Sequence, residues 1–287
     1  MPTPEPVRAG CTAAMVMLLG GDQIAVTAQG RALIASLDLS SGVELARVAR
    51  RDSSGAAQRI RLRKTCIRSW MDQESKCDPD ITTQLIVPGA GLSPLALDWC
   101  CDHADCRAIE LDYEHMDAKR GLINQCAQHS IASRIICSHC DLRQIDDTKH
   151  ILTNSGWRSE RPALWILEGL SYYISFDELC ALIRLALGGH ERSRVIMEFS
   201  GPRDELTQSA RLATEAYHQF IGTLLGGGDL TITDIDAVVA NTGTRLDRLV
   251  HPAQIEEQFH LERFFAGPRE SAMRIAMLAP SLVESHS

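Results

Sequence analysis

A glycine turn follows an apolar run in the first third of this sequence. The run Leu85–Val87 has the composition of a buried strand, and Gly89, Ala90 and Gly91 come shortly after it. Glycine allows a sharp backbone turn and the close approach of a ligand. A helix that begins after Ser93 would add free N–H groups and the positive end of its dipole. We predict that this turn binds a ligand, although similar turns also serve as plain connections.

An acidic residue occupies the position that a nucleoside site requires. Asp112 ends the strand-like run Arg107–Leu111, about 20 residues beyond the glycine turn. A carboxylate at this point can accept hydrogen bonds from both hydroxyls of a ribose. Glu110 would lie on the same face of an extended strand. Asp112 is the better candidate because ligands bind beyond the carboxyl ends of strands. The alternative is a solvated surface acid.

Asp141 and Leu142 follow the third strand-like run, Arg134–Ser138. An aspartate just beyond a strand end can bind an exocyclic amine such as that of adenine. Aspartate is also a frequent helix N-cap, so this position alone has two readings. Its register with the glycine turn and Asp112 favours a role in binding.

Glu168 and two adjacent tyrosines follow the fourth run, Ala163–Leu167. The chain has four tyrosines, and Tyr172 and Tyr173 supply half of them at one point. Aromatic faces attract cations, and a sulfonium is a cation. We predict that these three residues are catalytic and face a bound cation, the alternative for the tyrosines being packing alone.

Seven strand-like runs alternate with helix-like segments from Thr82 onward. The runs are Gln84–Val87, Arg107–Leu111, Arg134–Ser138, Ala163–Leu167, Arg194–Phe199, Arg245–Val250 and Met273–Leu278. The helix-like segments are Pro94–His103, His115–His129, Phe176–Leu187 and Leu206–Leu225. This alternation predicts right-handed βαβ units and an α/β fold with a doubly wound, mainly parallel, seven-stranded sheet.

The first 80 residues differ from the rest of the chain. They have weaker strand signals, a basic stretch from Arg47 to Arg68, and helical spacing of apolar residues over Ala56–Asp72. We predict an N-terminal helical cap over residues 1–80 and an α/β domain over residues 81–287.

The composition favours a globular protein with a small-molecule partner. Hydrophobic residues make up 45% of the 287 positions, and the net charge is −8. An acidic chain repels phosphate backbones, which argues against nucleic acid. No apolar run approaches the roughly 20 residues that span a bilayer. The apolar stretch Ala13–Gly20 lacks the basic start of a secretion signal, so we expect a cytoplasmic protein that does not bind membranes.

The ten cysteines are scattered, and Cys137 and Cys140 form a single CxxC spacing. A metal or redox site is one reading of that spacing. With no second pair in the sequence, we predict instead that these thiols pack as small hydrophobic groups and bind no metal.

Together these residues resemble the leucine carboxyl methyltransferase-like branch of the class I methyltransferases, which use S-adenosylmethionine (SAM). The resemblance rests on the glycine turn Val87–Ser93, the Glu-x-Asp strand end Glu110–Asp112, the pair Asp141–Leu142 and the Glu-Gly-x-x-x-Tyr signature Glu168–Tyr173. It covers residues 82–200 well and the N-terminal region only loosely. It implies a Rossmann-like fold with SAM along the carboxyl edge of the sheet.

Carried over, the resemblance assigns a part of SAM to each motif. The glycine turn (Gly89, Ala90 and Gly91) would face the methionine part, Asp112 the ribose, and Asp141 with Leu142 the adenine. In relatives a basic residue of the cap grips the methionine carboxylate. The candidates here are Arg61, Arg63, Lys64 and Arg68, of which we select Arg63.

The function that this implies is SN2 transfer of a methyl group from SAM to a small-molecule carboxylate or hydroxyl, as in natural product biosynthesis. SAM carries its own leaving group, so the protein must mainly align the reactants and exclude water. One alternative is a SAM cyclase, in which the α-amine displaces methylthioadenosine and leaves azetidine-2-carboxylic acid. A dinucleotide-dependent dehydrogenase fits the glycine turn and the acid almost as well, but gives Glu168 no role. A non-catalytic SAM-binding protein is the last alternative.

Overall fold

Strands and helices alternate along most of the chain, whose computed structural model describes residues 6–51, 55–224 and 230–281. The strands there are β1 (Val7–Arg8), β2 (Leu37–Asp38), β3 (Gln84–Pro88), β4 (Arg107–Asp112), β5 (Ile135–His139), β6 (Leu164–Leu167), β7 (Arg194–Ser200), β8 (Thr244–Val250) and β9 (Met273–Pro280). The α-helices there are α1 (Cys11–Gly20), α2 (Ala28–Ala35), α3 (Val43–Arg51), α4 (Ala56–Cys77), α5 (Leu95–Asp102), α6 (Met116–Cys126), α7 (His129–Ala132), α8 (Ile145–Asn154), α9 (Phe176–Leu187), α10 (Gln208–Leu224), α11 (Ile235–Thr242) and α12 (Pro252–Gln258).

Seven of these strands form one sheet in the order β5-β4-β3-β6-β7-β9-β8. Neighbouring strands are parallel except at β9, which runs antiparallel to both β7 and β8. The predicted doubly wound, mainly parallel, seven-stranded sheet is therefore confirmed. The chain order reverses beside β3, which pairs with β4 on one side and β6 on the other. In open α/β sheets, ligands bind at the carboxyl end of such a switch point.

Each of the seven predicted runs is a strand, with ends that differ by one or two residues. The predicted helix His115–His129 is divided, because Ala127 and Gln128 have extended backbone between α6 and α7.

Within the described ranges, no helix combines the length and apolar character needed to cross a membrane.

The N-terminal region is built from α1–α4 and the short parallel pair β1–β2. In α4, Ile60, Ile67, Trp70 and Met71 recur at helical spacing and are buried. They belong to the same hydrophobic core as Leu85 of β3, so α4 packs against one face of the sheet. The division into a cap of residues 1–80 and a domain of residues 81–287 stays a prediction.

Asp98 of α5 connects this region to the sheet. Its fully buried carboxylate accepts hydrogen bonds from the backbone N–H groups of Val26 and Thr27, at 3.0 and 3.1 Å, and from the Thr27 hydroxyl at 2.6 Å. Arg68 of α4 completes the site at 2.7 Å. A buried charge needs such partners. Arg68 is therefore engaged in holding α2, α4 and α5 together.

Candidate active site

The glycine turn lies at the carboxyl end of β3, at the switch point of the sheet. Gly89 and Gly91 have φ values of +67° and +48°, in the left-handed region that favours glycine. A Cβ atom on Gly89 would come within 3.0 Å of Leu170, whereas one on Gly91 would meet nothing within 4 Å. Gly89 is thus needed for close packing, and Gly91 borders open space.

Asp112 lies beside this turn at the end of β4. The Gly91 N–H donates to its Oδ2 at 2.8 Å, and the Glu114 N–H donates to its Oδ1 at 3.2 Å. Glu110 instead lies in the core, with its carboxylate 2.7 Å from the Lys119 ammonium and 3.5 Å from the Cys137 thiol. Burial raises the pKa of Glu110, and Lys119 opposes that rise. Asp112 is therefore the carboxylate at the sheet edge, and Glu110 belongs to a buried ion pair.

Asp141 and two rings lie at the ends of β4 and β5. The exposed Tyr113 follows β4 and faces His139 of β5, with 5.2 Å between ring centroids. Asp141 forms two hydrogen bonds of 2.8 Å with the guanidinium of Arg143, and Leu142 is buried. Neither Tyr113 nor His139 belongs to a motif in the sequence. Their position directly at strand ends is the signal that could have identified them.

A cavity of about 250 Å³ opens between the glycine turn and helices α1, α4 and α10. The predicted site residues on its lining are Arg63, Gly89, Ala90, Gly91, Glu168, Tyr172 and Tyr173. Asp112, Asp141 and Leu142 lie outside that lining. Of the other basic candidates, Lys64 lines the cavity, whereas Arg61 is exposed outside it.

Four charged side chains form a buried charge cluster in the cavity wall, namely Arg63, Lys64, Glu168 and Glu198. Glu168 lies 2.8 Å from Arg63 Nε and 2.7 Å from Lys64 Nζ. Arg63 Nη1 is also 3.1 Å from Glu198. Two cations and two carboxylates alternate, so the charges balance within the cluster. Glu198 was not predicted, although an acid inside the apolar strand Arg194–Ser200 is a signal of the same kind as Glu168.

Glu198 is held from two further directions. The Gly169 N–H donates to its Oε2 at 3.0 Å, and the Tyr172 hydroxyl donates to its Oε1 at 2.5 Å. The Tyr172 ring packs edge-on to the rings of Tyr173 and His218, each at 6.4 Å between centroids. Tyr173 is 49% exposed and also lines the cavity.

The family model for leucine carboxyl methyltransferases matches residues 24–186, more than half of the chain. The chain belongs to this methyltransferase family. Its cofactor is SAM, as predicted.

Two solved structures share the fold of this methyltransferase over nearly its whole length. A DUF574 family protein from Streptomyces avermitilis MA-4680 has a TM-score of 0.64 at 13% identity and covers 95% of this chain and 98% of its own. A protein of Thermobifida fusca YX, provisionally named a methyltransferase, has a TM-score of 0.62 at 17% identity and covers 92% and 98%. No curated protein sequence matches the chain.

The Glu168 carboxylate keeps its charge inside the methyltransferase. Burial alone would raise the pKa of Glu168, but Lys64 and Arg63 together hold it below its ordinary value. Burial lowers the pKa of Lys64, and Glu168 opposes that fall. Glu168 is therefore ionised at neutral pH. Burial and the neighbouring Glu198 raise the pKa of Tyr172 well above its usual range. Its hydroxyl consequently remains a proton donor.

The two cysteines of the CxxC spacing lie away from this cavity. Cys137 Sγ contacts the Glu110 carboxylate, and Cys140 Sγ lies 3.4 Å from the Thr148 hydroxyl. Both are buried, and burial raises the pKa of each thiol. Among the described residues, no three His, Cys, Asp or Glu side chains are grouped so that they could hold a metal ion.

The site fits the methyl donor in shape and charge. The open space beside Gly91 provides a cradle that a Cβ would fill. The cavity wall carries both cations and carboxylates, and an amino acid moiety with a sulfonium needs both. Arg63, the glycine turn, Glu168 and the tyrosine pair are the residues that could hold this part of SAM.

Proposed function

We propose that this methyltransferase transfers the methyl group of SAM to a carboxylate of a small molecule, with a hydroxyl as the second choice of acceptor. This proposal rests on how far the cavity extends. It continues past the glycine turn to Met15 and Val16 of α1 and to Tyr217 and Ile221 of α10. That additional apolar lining suits an acceptor, whereas cyclisation of SAM on itself would need no such room.

We assign the nucleoside part of SAM to the sheet edge outside the cavity. Asp112 would hold the ribose hydroxyls, because two backbone N–H groups already fix its carboxylate at the end of β4. Asp141 and Leu142 would hold the adenine, and the exposed Tyr113, which follows β4, offers a ring face. Stacking against an aromatic ring stabilises a nucleobase by about 1–3 kcal/mol.

We assign the methionine part to the cavity wall. Arg63 uses Nε and Nη1 in the charge cluster, and its Nη2 makes no hydrogen bond or ion pair with any described residue. We infer that this nitrogen grips the methionine carboxylate. Glu168 and the rings of Tyr172 and Tyr173 would then face the sulfonium.

Bound SAM would supply a methyl group on a sulfonium. The acceptor would attack the methyl carbon in line with the carbon–sulfur bond, and that bond would break to release S-adenosylhomocysteine. Which acceptor the site suits depends on whether one of its residues can take a proton from that acceptor. The phenols stay protonated, since loss of solvent around its hydroxyl raises the pKa of Tyr173 to about 12, and burial raises the pKa of Tyr172 well above its usual range. Arg203 donates to His218 Nδ1 at 3.0 Å, so the neutral ring carries its proton on Nε2.

The carboxylates of the cavity wall are equally committed, because Glu168 and Glu198 are both ion-paired. A hydroxyl acceptor would need a general base. A carboxylic acid is already ionised at neutral pH and needs none. This difference is our reason for ranking the carboxylate first.

The test is product analysis with paired acceptors. The purified protein is incubated with SAM and with matched sets of acids and alcohols that share one carbon skeleton. We expect S-adenosylhomocysteine and methyl esters, formed from the acids in preference to the alcohols. Methylthioadenosine formed without any acceptor would overturn methyl transfer in favour of cyclisation.

Asp112→Ala is expected to weaken SAM binding by about tenfold or more, since a charge-assisted hydrogen bond contributes about 1.5–3 kcal/mol. Asp112→Asn is the matched variant, because its amide oxygen can still accept from the Gly91 N–H. It should therefore bind SAM with intermediate affinity. Calorimetric titration of both folded variants measures this, and unchanged affinity in both would remove the ribose from this position.

The tyrosine rings are expected to favour SAM over S-adenosylhomocysteine, which lacks the sulfonium charge. Replacing the tyrosine whose ring faces the sulfonium with leucine should reduce the preference for SAM roughly 2- to 30-fold, which is the range of a cation–π contact. Tyr172→Phe and Tyr173→Phe are the controls, and should retain the ratio. Tyr172→Phe should also lower stability, because Glu198 loses a donor. An unchanged ratio in both leucine variants would exclude the rings.

A further inference from the structure

A second cavity lies at the opposite end of the sheet from the glycine turn. It has a volume of about 230 Å³ and borders the first residues of β3 and β4 and the loop between α8 and β6. We call it the arginine hollow, after Arg107, Arg158 and Arg161 on its lining. Because β3 and β4 are parallel, the hollow and the active site lie at opposite ends of the same strands.

The hollow concentrates positive charge on an acidic protein. Its described lining holds three arginines and one carboxylate, Asp105, for a sum of +2 (3 − 1) in a chain with a net charge of −8. None of the three guanidinium groups makes a hydrogen bond or an ion pair with any residue that the structure describes. Elsewhere exposed arginines do find acids, as Arg192 does with Asp78 at 2.9 Å.

The loop that carries two of these arginines is held in place by Gln84, a buried residue at the start of β3. Its Nε2 donates to the carbonyl oxygens of Arg158 and Pro162, at 3.1 and 3.2 Å. Its Oε1 accepts from the Arg158 N–H at 2.9 Å. A buried amide that uses both of its functions on one loop fixes that loop before any ligand arrives, which reduces the entropy lost on binding.

The third arginine, Arg107, lies beside Gly156, which has a φ of +91°. A Cβ atom on Gly156 would lie 4.0 Å from Arg107 Nη2, which places the guanidinium next to the loop that carries the other two arginines. The hydroxyls of Thr83 and Ser155 add polar groups to the lining, and Ile86 and Ile109 add an apolar part.

We propose that the arginine hollow binds a compact multivalent anion, namely a small molecule with a phosphate, a pyrophosphate or several carboxylates. Guanidinium groups match such oxyanions geometrically and keep their charge at all physiological pH values. The hollow is concave and small, and the chain is acidic overall, which disfavours a nucleic acid strand.

The test is calorimetric titration of the full chain with pyrophosphate at low ionic strength. We expect saturable 1:1 binding that weakens as salt is added. The double variant R158Q/R161Q should lose at least about tenfold in affinity. It should fold normally, because Gln84 contacts only the backbone of that loop. The control R61Q/R211Q removes the same charge from two exposed arginines outside the hollow, and should bind like the unaltered chain.

Citrate provides the second arm of the titration. If citrate binds more tightly than pyrophosphate, the hollow prefers carboxylates, and if pyrophosphate binds more tightly, it prefers phosphates. Either result supports the proposal. Absence of saturable binding up to about 10 mM, a concentration that detects very weak complexes, would overturn it. Equal losses in R158Q/R161Q and R61Q/R211Q would do the same. So would tighter binding of a short oligonucleotide than of either small anion.

Discussion

Gly91→Val is expected to abolish measurable SAM binding while the sheet keeps its fold. The space beside Gly91 is open, since a Cβ there meets nothing within 4 Å. The Cβ of the valine would therefore meet no protein atom, and its two methyl groups would project into the cradle. It would also strain a backbone with a φ of +48°. We expect SAM affinity to fall by about a hundredfold or more, measured by calorimetric titration.

Gly243→Val provides a matched control for the strain. Gly243 ends α11 with a φ of +61°, has nothing within 4 Å of its Cβ position and lies off the cavity lining. Both variants should therefore lose similar stability, by about 1–3 kcal/mol for a residue forced into this region. Only Gly91→Val should lose SAM. If Gly91→Val binds SAM as tightly as Gly243→Val does, the turn is a structural connection.

The sheet could be predicted because parallel strands are buried on both faces. Such strands are continuous apolar runs in the sequence, and Leu164–Leu167 of β6 is buried at every position. The sequence patterns that predict helices were weaker than those that predict strands. The helix α8 was not predicted, because Asp146, Asp147 and other polar residues dilute its apolar spacing. The break at Ala127 and Gln128 has no glycine or proline to mark it.

The motifs at the strand ends were predictable because the parallel topology brings all of them to one edge of the sheet. The site residues that come from other elements, such as α4, were not predictable in this way. Four basic residues of α4 were equivalent in the sequence, and only the rotation of the helix separates them. Arg61 faces solvent, Arg68 pairs with Asp98, and Arg63 and Lys64 enter the cavity. Sequence spacing does not determine which face of a helix meets the site.

Arg63→Met is expected to destabilise the fold strongly, because it leaves Glu198 buried without its cation. Removing one partner of a buried ion pair costs about 3–5 kcal/mol. Lys64 would still neutralise Glu168 at 2.7 Å. Chemical denaturation followed by circular dichroism measures the free energy of unfolding. Arg61→Met is the control, because Arg61 is exposed, and it should change stability by no more than about 0.5 kcal/mol.

The double variant R63M/E198Q tests whether charge is the cause. Glutamine at position 198 can still accept from the Tyr172 hydroxyl through its amide oxygen, although it loses the hydrogen bond from the Gly169 N–H, and the unpaired charge disappears. We expect the double variant to recover at least about 1 kcal/mol of the stability lost by Arg63→Met. A double variant as unstable as the sum of the two single variants would show that Arg63 acts through packing and not through charge. Measuring SAM affinity distinguishes the proposed role of Arg63 in binding the methionine carboxylate from its role in stability. If its Nη2 grips the methionine carboxylate, R63M/E198Q should regain stability and still fail to bind SAM.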